Sequence, residues 1–158
     1  MKNDDWEALE SDLKGLEDVS IVNLAFDDLT EQTPLLFAIR KNKEEGVKIL
    51  LENGCKSYQI YEQLGRNSIH VAAQKANPRI FGLIIDNLED QGKVNESEKG
   101  KLERTPLQIL TASTIKKPDD EEIKKCFRKI LEVPGINLDK TDINEESPLC
   151  LAIDGEKS

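Results

Sequence analysis

Thr33-Pro34-Leu35-Leu36-Phe37-Ala38 is the stretch from which the rest of the chain can be read. A threonine followed by proline opens a helix: the hydroxyl accepts from the first orphan backbone N–H groups, and proline at the next position has no N–H to leave unsatisfied. Apolar residues follow at once. The phrase returns as Asn67-Ser68-Ile69-His70-Val71-Ala72, as Thr105-Pro106-Leu107-Gln108-Ile109-Leu110 and as Ser147-Pro148-Leu149-Cys150-Leu151-Ala152, at offsets of 34, 38 and 42 residues. Recurrence in one register marks a chain assembled from similar units, each too small to bury its apolar face alone.

The spacing of apolar residues predicts a second helix in each of the first three units. After the first phrase, residues 44–52 place Val47, Leu50 and Leu51 on one face and end at Asn53-Gly54, a good stop signal. In the second unit Asn77-Pro78 restarts the chain, and Ile80, Phe81, Leu83 and Ile84 supply the stripe. In the third, Asp119 and Asp120 precede Ile123, Phe127, Ile130 and Leu131, and Pro134-Gly135 ends the run. Short turn-like segments, Asp28 to Gln32, Glu62 to Arg66 and Asp142 to Glu146, precede three of the phrases and are expected to project as hairpin loops. The second and third units carry extra residues, Asp86 to Lys101 and Ser113 to Pro118, expected to be surface loops.

These units resemble ankyrin repeats, whose period is about 33 residues and whose signature is Thr-Pro-Leu-His-x-Ala. The resemblance covers roughly residues 20–153 and is closest over Thr33 to Cys55 and Gly65 to Ala73. It implies an all-α fold, a solenoid of stacked helix pairs with short β-hairpin loops, over residues 20–158, with an incomplete last repeat. Residues 1–19, where Trp6, Leu9, Leu13 and Leu16 recur at helical spacing, are expected to form an acidic helical cap. One departure concerns the loop glycine that the family places two residues before the threonine. It survives here only as Gly65 and is replaced by Glu31, Glu103 and Glu145, so those turns are expected to be strained or differently shaped. Another is the fourth phrase, whose helix stops at Asp154-Gly155 with no second helix to cover Leu149, Leu151 and Ile153. That reads as a stack continuing into further ankyrin repeats beyond Ser158, or as a short protein whose end frays or pairs with a partner.

At 158 residues the chain fits one domain or a short stack, and 37% hydrophobic against 34% charged residues is enough to bury a core, which excludes global disorder. No stretch approaches the roughly 18 apolar residues of a membrane span, and the acidic start lacks the basic and apolar regions of a secretory signal. The expected location is cytoplasmic or nuclear, not secreted, with no direct membrane insertion. Cys55, Cys126 and Cys150 are an odd set at wide spacing and read as free thiols of a reducing compartment. Of the net charge of −9, residues 1–32 hold −8, which repels nucleic acid and suits either a basic protein surface or a solvated face.

No catalytic, cofactor-binding or metal-ligating residue is assigned, and the chain is not expected to be an enzyme. His70 occupies the histidine position of the signature, where the family's imidazole bonds neighbouring backbone. A second histidine is missing and the cysteines lie too far apart for a structural zinc. Gly54-Cys55-Lys56-Ser57 lacks the glycine directly before the lysine of a phosphate-binding loop. Asp86 to Gly92 places Leu88 where a calcium loop needs a ligand. The family resemblance implies noncovalent binding of another protein through hairpin tips and the first helix of each pair. Aligning the units puts Phe26, Ile60 and Tyr61 at outward hairpin positions, and Arg40 and Lys41 beside Gln74 and Lys75 as a weakly basic strip. Such a module would serve as a free regulator, such as an inhibitor masking a transcription factor, or as the cytoplasmic ankyrin segment of a larger assembly such as a channel of the transient receptor potential type.

Overall fold

The computed structural model describes Ser11 and residues 33–58, 65–98 and 102–155. Over these residues the protein is all-α, with helices α1 (Pro34–Arg40), α2 (Glu44–Glu52), α3 (Ser68–Lys75), α4 (Pro78–Asp86), α5 (Pro106–Lys116), α6 (Glu121–Leu131) and α7 (Pro148–Gly155). A 3-10 turn, Gln91–Asn95, follows α4. Among the described residues no β-strand forms. Of the expected cap over residues 1–19 only Ser11 is described; the hairpin expected at 28–32 and most of that at 62–66 also lie outside the described residues.

Each repeated phrase opens a helix by the same chemistry. Thr33 Oγ1 accepts from Leu36 N at 3.4 Å, Asn67 Oδ1 from Ile69 N and His70 N at 3.1 Å, Thr105 Oγ1 from Gln108 N at 3.3 Å, and Ser147 Oγ from Cys150 N at 3.2 Å. Asn77 and Asp120 cap α4 and α6 in the same way. The first two pairs turn at residues in the left-handed region, Asn42 (φ 57°) and Ala76 (φ 53°).

The helices lie in two rows. α1 packs on α3, α3 on α5 and α5 on α7, while α2 packs on α4 and α4 on α6; within each pair α1 meets α2, α3 meets α4 and α5 meets α6. The core runs between the rows through Leu35, Ile39, Leu50, Ile69, Phe81, Ile84, Leu107 and Ile130, all 2% exposed or less. In α6 the buried stripe is Ile123, Cys126 and Ile130, with Phe127 half-buried. Leu131, expected on that stripe, is 42% exposed because one further residue turns the helix past its core-facing side.

Neighbouring units are stapled by polar groups in equivalent positions. His70 Nε2 donates to Glu96 O at 2.8 Å, and Gln108, the matching residue of the next unit, donates from Nε2 to Glu146 O at 2.7 Å. The residue before each of the caps Asn67 and Thr105 is an arginine. Arg66 pairs with the buried Glu98, and Arg104 Nε with the buried Asp142 at 3.1 Å. On the other row Asn77 Nδ2 donates to Asn42 and Glu44, and Lys129 reaches Asp86 at 2.6 Å.

The turns before the third and fourth phrases keep the shape of a glycine turn without the glycine. Gly65, Glu103 and Glu145 have φ of 55°, 51° and 62°, so the two glutamates are strained rather than differently folded. Because both side chains are exposed, Glu103→Gly or Glu145→Gly relieves the left-handed penalty at some loss of unfolded-state order; each is expected to stabilise the fold by about 0.5 to 1 kcal/mol. Urea unfolding would show the midpoint moving up at constant slope, and an unchanged midpoint would mean that the strain is absent. Of the expected hairpins, residues 142–146 form a tight turn closed by Asp142 N to Glu146 O at 3.1 Å.

The two insertions differ from the expected surface loops. Ser113 to Lys116 continue α5, with the Ser113 and Thr114 hydroxyls bonded back to Ile109 O and Leu110 O. In the segment after α4, Leu88, Val94 and Glu98 are buried, and the 3-10 turn packs on α5. Asn95 there ties down the following loop through Gly135 O, Asn137 N and Lys140 Nζ. On α7, Leu149 is 68% exposed although Leu35, Ile69 and Leu107 at the same position of their helices are covered. Among the described residues no helix is long and apolar enough to cross a membrane.

Candidate functional site

The row α1–α3–α5 carries the residues that sequence alignment of the units singles out. Arg40 in the last turn of α1 and Gln74 and Lys75 in that of α3 line one shallow groove of about 370 Å³ with Val71. Gln74 Oε1 accepts from Arg66 Nη1 at 3.1 Å, which fixes its amide in place through the same arginine that staples the units. Lys41 follows α1, is exposed, and its Nζ lies 5.8 Å from the centroid of the Phe37 ring. The structure thus brings Arg40, Gln74 and Lys75 together, with Lys41 on the adjoining helix end. Phe26, Ile60 and Tyr61 lie outside the described residues.

Two features of this face were not picked out from the sequence. The fifth residue of each repeated phrase, Phe37, Val71, Ile109 and Leu151, forms an apolar line along the row; Phe37 and Ile109 are half-buried and Val71 and Leu151 buried. The signal was present in the repeat alignment, where that position is apolar in all four units. Beyond Lys75 a second groove of about 470 Å³ opens between the pairs, lined among others by Gln74, Lys75, Asn77, Lys116 and Lys117. It shares Gln74 and Lys75 with the first, so the two grooves adjoin. Lys116 and Lys117 escaped notice because they were expected in a loop, whereas the extra turn of α5 carries them to the groove.

The groups with most chemical potential are committed to the interior. His70 is buried; burial is the main cause that lowers its pKa to about 4, against smaller opposing effects of the bond to Glu96 and the Glu98 charge. It is therefore neutral at physiological pH, donating from Nε2 and accepting the Asn67 N–H at Nδ1, 3.2 Å away. Burial pushes the Cys55 and Cys126 thiols up to about 12, which keeps them protonated. No disulfide joins any of the three cysteines, and Cys150 is exposed. Among the described residues no group of histidine, cysteine, aspartate or glutamate is placed to hold a metal ion.

No family model matches this chain, and no curated protein does. What the face offers chemically is shape, apolar contact and a few fixed donors, the elements of noncovalent recognition.

Proposed function

We propose that this chain is an ankyrin-like solenoid whose function is to hold another protein without catalysing a reaction. The observation that carries the reading is the convergence of Arg40, Gln74 and Lys75, from successive helices of one row, on a groove beside Val71. Recognition surfaces of this kind draw their energy from a few anchors in an apolar setting, and arginine is a favoured anchor because its planar fork binds carboxylates and carbonyls in fixed geometry. The two-row packing, the repeated caps and the left-handed turn residues support the ankyrin-like part of the proposal, with the hairpin tips of that design adding to the contact area. A scaffold stapled at every interface suits this role, since rigid surfaces lose little entropy on binding.

The test uses a partner isolated on the full chain, identified and purified. Replacing Arg40, Lys41 and Gln74 together by alanine is expected to raise the dissociation constant at least about tenfold with the circular dichroism spectrum unchanged. A partner that binds the folded triple variant as tightly as the parent would remove this face from the reading.

A further inference from the structure

We infer that the groove running from the end of α3 to the start of α6 takes an acidic segment of a partner protein. The inference rests on the protein-binding reading above and adds the partner's chemistry. In a molecule of net charge −9, several described cations are already paired with acids of the same chain. Lys93 pairs with Glu96 at 2.7 Å, Lys124 with Glu121 at 2.8 Å, Lys125 with Glu122 at 2.7 Å and Lys129 with Asp86 at 2.6 Å. Arg66, Arg79 and Arg104 are likewise paired. Lys75, Lys116 and Lys117 are exposed and, among the described residues, have no acid at ion-pair distance; all three line this one groove.

The acids that share the lining are occupied. Asp120 Oδ1 caps α6, accepting from Glu122 N at 3.0 Å and Ile123 N at 3.3 Å, and Glu122 is bound by Lys125. Uncompensated charge in the groove is therefore positive. A lysine in the last turn of a helix complements the helix dipole, which accounts for Lys75 and Lys116 singly. It does not account for Lys117 beyond the helix, nor for the convergence of two helix ends on one depression. An acidic peptide is favoured over nucleic acid because three lysines in one short depression match a few carboxylates, whereas a phosphate backbone needs a longer basic track. The groove adjoins the Arg40 face through Gln74 and Lys75, so one partner chain can engage both.

A short fluorescent oligoglutamate peptide, titrated into the full chain, tests this. Backbone amide shifts are expected at Lys75, Asn77, Ser113 and Lys117. Replacing Lys75, Lys116 and Lys117 by alanine is expected to weaken binding about tenfold and replacement by arginine to preserve it, with added salt weakening the parent and the arginine variant but not the alanine one. Shifts scattered over the surface, an unchanged affinity in the alanine variant, or tighter binding of oligolysine or of a single-stranded oligonucleotide to the same residues would each overturn the inference. The two proposals fail separately. A purified partner lost with Arg40 and Gln74 but indifferent to the three lysines leaves the recognition face standing and removes the acidic groove. Oligoglutamate seated in the groove, with no partner dependent on Arg40 and Gln74, does the reverse.

Discussion

Replacing His70 by glutamine is expected to leave the fold intact at neutral pH and to remove about 3 kcal/mol of its sensitivity to acid. The size follows from the folded-state pKa of about 4 against the ordinary 6.5. Burial favours the neutral ring, so between those values the unfolded chain binds the proton more readily than the folded one. Stability from this residue is complete above pH 6.5 and is lost as pH falls towards 4. Protonating Nδ1 exchanges its bond from the Asn67 N–H for one to Asn67 Oδ1, 2.7 Å away, so the loss comes from burying the charge and not from a missing partner. Gln108 supplies the design for the substitution, because at the same position of the next unit it makes both bonds without titrating: Thr105 N donates to its Oε1 at 2.9 Å and its Nε2 reaches Glu146 O. Urea unfolding of parent and variant at pH 7 and near pH 4.5 measures the difference directly. Equal pH slopes would mean that His70 is protonated in the fold without loss.

Asp142→Ala is expected to destabilise the protein by about 3 to 5 kcal/mol, the range for removing one member of a buried, hydrogen-bonded ion pair. The Asp142 side chain is fully covered, and it serves three donors: Arg104 Nε at 3.1 Å, Asn144 N at 2.9 Å and Glu146 N at 3.2 Å. Removing it opens the turn that carries the strained Glu145 and leaves a largely covered guanidinium facing only Glu146, 3.8 Å away. Asp142→Asn retains the acceptor for the two backbone groups while losing the charge, so it should cost about half as much or less. Chemical denaturation of the two variants separates these contributions. A loss under about 1 kcal/mol in the alanine variant would show that water or Glu146 replaces the carboxylate.

What could be read in advance follows the range over which each interaction acts. Capping is local, since a hydroxyl or amide reaches only the next three backbone groups; Thr33, Asn67, Thr105 and Ser147 therefore announce their helices within a few letters. The left-handed turns were legible in part: alignment with Gly65 flagged Glu103 and Glu145, and the structure resolves the open choice in favour of strain. The burial of Glu98 and Asp142 was not legible, because a carboxylate goes inside only if a cation meets it, and Arg66 and Arg104 sit more than 30 residues earlier. Their shared place before a cap residue was the available signal. The extra turn of α5 was missed for a related reason. Ser113 and Thr114 compete with helix backbone when solvated, yet here their hydroxyls bond back into the helix and carry it to Lys116, where the extra length of the unit had suggested a loop. Of the proposed site, the alignment found Arg40, Gln74 and Lys75 but not the depression that joins them to Lys116 and Lys117.

The two-row arrangement also governs how the chain can reach its native state. Its principal helix contacts run within a pair or between adjacent pairs, so no segment has to wait for a distant one before it is rewarded with burial. Any two neighbouring pairs can form the nucleus, and growth can proceed in either direction from it. Folding in such a molecule has no obligatory starting point, and a substitution that slows one junction leaves the other routes open.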